Sequence, residues 1–162
     1  MNKNALPARD TIAALIPHSG AMCLLDAVIE CDDQSVRCRA TGHRDAGNPL
    51  RDNGELHALC GIEYAAQAMA VHGALLGGAD AVPGMLAAVR EFEADVERLD
   101  DIADDLIVSA YRLIGDNTSL LYEFSLHAGS RCIMRGRAMV LLARASDEAA
   151  ACASPRGAHR NS

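Results

Sequence analysis

Residues 59–78 read LCGIEYAAQAMAVHGALLGG, a stretch that is almost entirely apolar or small. Glu63 is the one Asp, Glu, Lys or Arg within it. The stretch predicts a long buried helix that stops at Gly77-Gly78, because glycine readily adopts the backbone conformation that ends a helix. A carboxylate in such a helix is costly to bury unless it is paired, protonated or used. Glu63 is therefore the leading candidate for chemistry. The length would also suit a membrane span. However, Glu63, Gln67 and His72, the Ala and Gly content and the lack of basic flanks favour a soluble core helix with no membrane span.

The rest of the composition is consistent with one domain of 162 residues, long enough for a real core. Half of the residues are hydrophobic, but only 3% are aromatic and Trp is absent, so the core must be built from Ala, Val, Leu, Ile and Met. A formal charge of −7 argues against nucleic acid as the main partner. The six cysteines (23, 31, 38, 60, 132 and 152) are scattered, with no CxxC pair and no His at zinc-ligand spacing. They read as the thiols of a reducing cytosol, with neither disulfide framework nor metal site. Residues 1–10, MNKNALPARD, lack the apolar core of a signal peptide, and the expected location is cytoplasmic.

Around the helix the pattern is that of strands. Residues 1–9 read as a flexible N-terminus, and Asp10-Thr11 as the cap of a short helix reaching about Leu15. Ala21–Ile29 is an apolar run expected to be a buried strand. Ser35–Thr41 alternates like a half-exposed one, with Asp32-Asp33 as the turn between them. Gly42–Gly54 is an unusually long loop, of a kind that is often functional. After Pro83, GMLAAVREFEADVERL has helical propensity and also alternates; it is read as a strand. Leu106–Ile114, Ser119–His127 and Arg131–Leu142 form an antiparallel meander with tight turns. Residues 144–162 lack periodicity and read as a disordered tail. The domain thus spans 10–143: an α+β fold in which a curved antiparallel sheet wraps a long apolar helix.

Two segments carry a resemblance. Leu15-Ile16-Pro17-His18, followed by Met22-Cys23-Leu24-Leu25-Asp26, resembles the "LPHxxPxLLxD" of hotdog-fold 3-hydroxyacyl-[acyl-carrier-protein] dehydratases. Gly61-Ile62-Glu63-Tyr64-Ala65-Ala66-Gln67 resembles the "EAMAQ" start of their central helix. Within that family the chain looks most like the dehydratase-like proteins of aryl-polyene and related clusters, where "NP…GIEYMAQ" recurs. The resemblance implies a hotdog fold, at least a dimer, and loss of water from a 3-hydroxyacyl thioester. Acyl carrier protein is the implied partner. It implies no cofactor beyond the phosphopantetheine arm that carries the substrate. It also implies a site shared between subunits, a His from one beside a helix carboxylate of the other. A near-neutral His suits removal of the C2 proton, and a carboxyl raised by apolar surroundings suits departure of the C3 hydroxyl. Helix-start N–H groups, those of Cys60 and Gly61, would take the thioester oxygen.

Glu63 falls on the family's helix carboxylate, but the family's His does not carry over. The "GHFPGxP" spacing puts Pro49 at its position. His43 in Gly42–Pro49 is the nearest echo and otherwise a solvated loop residue. His57, just before the helix, could reach a substrate channel or else satisfy backbone groups. The family's use of the position of His18 is structural. His72 is expected as a packed or polar-tipped core residue, and His127 and His159 as bystanders. Cys60 combines a possible lowered pKa at a helix start with the commoner role of a packing thiol. Gln67 stands one turn beyond Glu63 and could orient it, line the site or sit at a dimer contact. Arg131, Arg135 and Arg137 are candidates for a basic patch facing an acidic carrier protein.

Three functions follow. The chain could be an acyl-thioester dehydratase, alone or sharing a site with a second hotdog subunit in a homodimer or heterodimer. It could be a hotdog thioesterase, which needs a helix carboxylate and water but not the family His. Or it could be a non-catalytic subunit that completes a partner.

Overall fold

Tyr64, Ala65, Ala68, Met69, Val71 and His72 are buried along helix α2 (Gly61–Gly77), and a curved sheet of six antiparallel strands covers them. The computed structural model describes residues 6–18 and 20–143. In chain order the elements are α1 (Arg9–Leu15), β1 (Ala27–Cys31), β2 (Ser35–Ala40), α2, β3 (Gly84–Ala94), β4 (Leu106–Gly115), β5 (Ser119–Ala128) and β6 (Arg131–Leu142). The strands lie in the order β1-β2-β4-β5-β6-β3. Strand β3 is reached only after the helix has crossed the sheet, so it pairs with the last strand and leaves an edge beyond it.

Period-two alternation turns Val108, Ala110, Tyr122, Phe124, Leu126 and Met134 toward the helix. The helix starts close to that layer. A Cβ added to Gly61 would lie 2.7 Å from Met134 Sδ, so a larger residue there would make the Met134 side chain shift. Beyond the helix, α1 packs on α2 through the fully buried Ile12. Among the described residues no helix is long and apolar enough to cross a membrane.

The strand expected over Ala21–Ile29 begins only at Ala27, and a single 3-10 turn occupies Gly20–Met22. Leu24 and Leu25 are buried as their apolarity requires, but this segment does not join the ladder. Its polar groups go to a side chain instead: Leu24 N–H donates to Gln67 Oε1 at 2.9 Å, and Met22 O accepts from Gln67 Nε2 at 2.7 Å. Helix α1 starts after Ala8, with no side-chain cap from Asp10. Residues 7–9, read from sequence as part of a loose terminus, are tied down. Pro7 O accepts from Val28 N–H, Ala8 bridges Ala27, and Arg9 binds Asp26. The expected tail, with Cys152 and His159, lies outside the described residues.

The long loop is held by side chains that face inward. Asn48 Nδ2 donates to Gly42 O and to Tyr64 Oη, both at 2.9 Å. The Arg51 guanidinium donates to the carbonyls of His43, Arg44, Asp45 and Gly54 and pairs with Asp100. Asp100, 5% exposed, also accepts from Leu56 N–H and pairs with Arg98. A loop with this many internal donors and acceptors has one shape.

Candidate functional site

Glu63 lies in the first turn of α2 and is only partly covered: its side chain is 32% exposed, in place of the full burial that its neighbours suggest. Oε1 is the held oxygen. It accepts from Gln67 Nε2 at 3.1 Å and lies 3.3 Å from His18 Nε2. Oε2 takes no protein hydrogen bond among the described residues.

Gln67 is what makes the arrangement stiff. It is 1% exposed, its Oε1 accepts from Leu24 N–H, and its Nε2 is shared between Met22 O and Glu63. The apolar run after the first motif and the helix of the second are thus joined by one amide. Gln67 thus hydrogen-bonds the carboxyl one turn earlier on the same helix.

His18 stands beside Glu63 although sequence reasoning gave it only a structural role. The Leu15–Asp26 and Gly61–Gln67 motifs meet in space through Gln67, and the segment carrying His18 is thereby brought to the helix start. Its ring is 34% exposed on average, but Nδ1 is buried and has no partner.

The other histidines go elsewhere. His43, read as a solvated loop residue if not catalytic, is fully buried. Its Nε2 bonds Ile102 O at 3.1 Å, and burial pushes its pKa down. His57 is an exposed residue at the start of a 3-10 turn (Ala58–Cys60), where Nδ1 accepts from Leu59 N–H at 3.1 Å. Neither His43 nor His57 lies within ion-pair distance of Glu63 in the single chain. His72 is a core residue between Tyr122 Oη (2.9 Å) and Asp32 O (3.0 Å), and burial lowers its pKa.

The helix start itself is more occupied than the resemblance implies. Cys60 N–H donates to His57 O and Gly61 N–H to Ala58 and Leu59 carbonyls. The Cys60 thiol donates to Leu50 O at 3.6 Å. Burial pushes its pKa up, so desolvation outweighs the helix end that could have lowered it.

Two of the three arginines expected in a basic patch are paired with acids, whereas Arg131 donates to the Asp95 carbonyl. Arg135 pairs with Glu93 at 2.8 Å, and Arg137 pairs with Glu91 and Glu123. These pairs line a shallow groove of about 390 Å³ on the sheet face turned away from α2. Three acids, Glu91, Glu93 and Glu123, face the two arginines across it, and Glu63, His18, His43 and His57 are not among its lining residues. Glu91 stands at φ 51° within the irregular stretch of β3 that breaks register between Arg90 and Glu93. Among the described residues no group of three or more His, Cys, Asp or Glu side chains is placed to hold a metal ion.

A family model described as ApeP dehydratase, of the ApeP-like family, matches residues 10–152. The chain belongs to the ApeP-like dehydratase family. Among solved structures, the ApeP-like chain is similar to the dehydratase heterocomplex ApeI:P from Xenorhabdus doucetiae. The identity is 23%, with 86% of this chain and 95% of that one covered and a TM-score of 0.75. It is also similar to AziG from S. sahachiroi (14% identity, 80% and 98% covered, TM-score 0.60) and to zebra fish thioesterase superfamily member 2 (15%, 83% and 95%, TM-score 0.59). At these identities the likeness shows the fold, and the fold of the ApeP-like chain is the hotdog. No curated protein matches it significantly.

Proposed function

We propose that this ApeP-like chain is the carboxylate-bearing subunit of a hotdog pair that dehydrates 3-hydroxyacyl thioesters on acyl carrier protein, in assembly of the aryl-polyene type. Family membership supports the reaction class. One observation carries the division of labour: Glu63 is held with one oxygen free, whereas His43, the loop histidine nearest the family motif, is buried against Ile102 O. Among the described residues His18 is the one histidine within ion-pair distance of Glu63, and neither His43 nor His57 joins it. The relative from Xenorhabdus doucetiae is itself a heterocomplex, which supports a second subunit as the source of the missing base.

In this reading the partner's base removes the C2 proton of the acyl chain. Glu63, protonated on Oε2, gives its proton to the C3 hydroxyl. The C3–O bond breaks, the C2–C3 double bond forms and water leaves. The cycle closes when the proton held by the base returns to Glu63. The partial exposure of the carboxyl supports access for a substrate carried on a phosphopantetheine arm.

The test is dehydration of a 3-hydroxyacyl-carrier protein by the chain alone, by a hotdog dehydratase encoded beside it, and by both together. Activity that needs both proteins and falls at least 100-fold with Glu63→Gln supports the proposal. Full activity of the complex with Glu63→Gln overturns it, and release of free carrier thiol in place of an enoyl product points to a thioesterase.

A further inference from the structure

Glu63 has two oxygens and the structure treats them unequally. Oε1 is held from two directions, by Gln67 Nε2 at 3.1 Å along the helix and by His18 Nε2 at 3.3 Å from the segment after α1. One donor would fix a distance but leave the carboxyl plane free to turn. The Gln67 hydrogen bond and a second close contact on the same oxygen, from a different element, restrain the plane as well, and with it the direction of Oε2. We propose that His18 is a positioning residue for catalysis. With Gln67 it clamps Oε1 so that Oε2 points at the C3 hydroxyl of the substrate.

Several observations support a built contact over a chance one. Gln67 is itself anchored on Met22 O and Leu24 N–H, in the segment that follows His18, so the two contacts on Oε1 are linked through the backbone. Charged groups on the flanking elements do not compete. Arg9 binds Asp26, Asp26 is capped by Thr41 N–H and Oγ1, and among the described residues Glu63 is the one acid within ion-pair distance of His18. His18 Nδ1 is buried without a partner, so Nε2 is the nitrogen that makes the ring's contact. The side chain is still one-third exposed, so the fold does not need it as core filling.

The inference rests on the proposed role of Glu63, and the experiment separates the two. In the assembled complex, kcat and KM are measured on a 3-hydroxyacyl-carrier protein for Glu63→Gln, His18→Ala and His18→Gln. Misdirecting a catalytic group by an ångström costs up to about 100-fold. His18→Ala should therefore lower kcat about 10- to 100-fold with KM within about twofold. His18→Gln, whose amide N–H reaches about as far as Nε2, should recover kcat to within about threefold of the wild type. A wild-type kcat in His18→Ala, a change in KM alone, or failure of His18→Gln to recover activity overturns the clamp while Glu63→Gln remains inactive. An active Glu63→Gln complex instead overturns the role of Glu63 on which the clamp depends. Circular dichroism melting of each variant is the control: a His18→Ala midpoint more than a few degrees lower assigns His18 to stability and also overturns the proposal.

Discussion

Gln67 Nε2 donates both to Glu63 Oε1 one turn earlier and to Met22 O on a separate segment, so one amide couples the carboxyl to the chain that covers the helix. Replacing Gln67 by Met, of similar size, would strand Leu24 N–H and Met22 O in a buried place. The expected loss is about 2–4 kcal/mol, since each buried group left without a partner costs about 1–3 kcal/mol. Urea denaturation would measure it. Glu63→Gln should change stability by less than about 1 kcal/mol, because the carboxyl is partly solvated and its contact with the part-exposed His18 contributes little. A stable Gln67→Met protein would show that the Met22–Leu24 segment is held by packing alone.

His72 and His43 predict acid sensitivity. Burial lowers both pKa values from the ordinary 6.5, so the unfolded chain takes up protons at pH values where the folded chain resists them. Stability from these groups is complete above about pH 7 and declines as pH falls through the unfolded histidine range, by up to about 1.4 kcal/mol per pH unit for each group. His72→Gln, which keeps hydrogen-bonding atoms near Tyr122 and Asp32, should make the decline between pH 7 and 5 shallower. An unchanged slope in denaturation at several pH values would contradict this.

Asp100 predicts a loss at lower pH still. Its bond to Arg98 and the Leu56 N–H hold its carboxyl well below the usual range, so its contribution is present above the unfolded value near 3.8 and disappears on strong acidification. Asp100→Asn at neutral pH should cost about 1.5–3 kcal/mol, the usual worth of hydrogen bonds to a charged group. It should also loosen residues 42–54 by releasing Arg51, which faster hydrogen exchange at Asn48 and Leu50 would report.

Cys60 should alkylate slowly. Its thiol bonds Leu50 O and its pKa is raised by burial, so at pH 7.5 iodoacetamide should react with it more slowly than with free cysteine. Peptide mapping by mass spectrometry gives the rate. A rate above that of free cysteine would restore the nucleophile reading.

Much of the fold was readable because its periods are strong. The apolar run ending at Gly77-Gly78 and the alternating strands β4, β5 and β6 needed no tertiary information. The ambiguous Gly84–Ala94 segment resolves as a strand because β6 offers it a ladder. Residues 21–26 were misread because a buried strand and a buried segment bonded to a side chain look alike locally. The deciding partner, Gln67, is 43 residues from Leu24. His18 was passed over for the same reason. Its motif marks it locally only as a structural residue, and the joining of two distant motifs is what brings its ring to Glu63. His43 was misjudged because polarity and turn residues suggest exposure, whereas Ile102 O supplies a buried partner from far along the chain.

The arginine–glutamate pairs on the outer sheet have a kinetic consequence. Arg135 with Glu93 and Arg137 with Glu91 present short dipoles, whose fields fade within a few ångströms, on a chain of formal charge −7. An anionic macromolecule approaching this chain would be repelled at long range, and Arg135 and Arg137, already paired with acids, would reward contact little. Its encounter rate with this subunit should therefore rise as salt is added, the reverse of ordinary electrostatic steering.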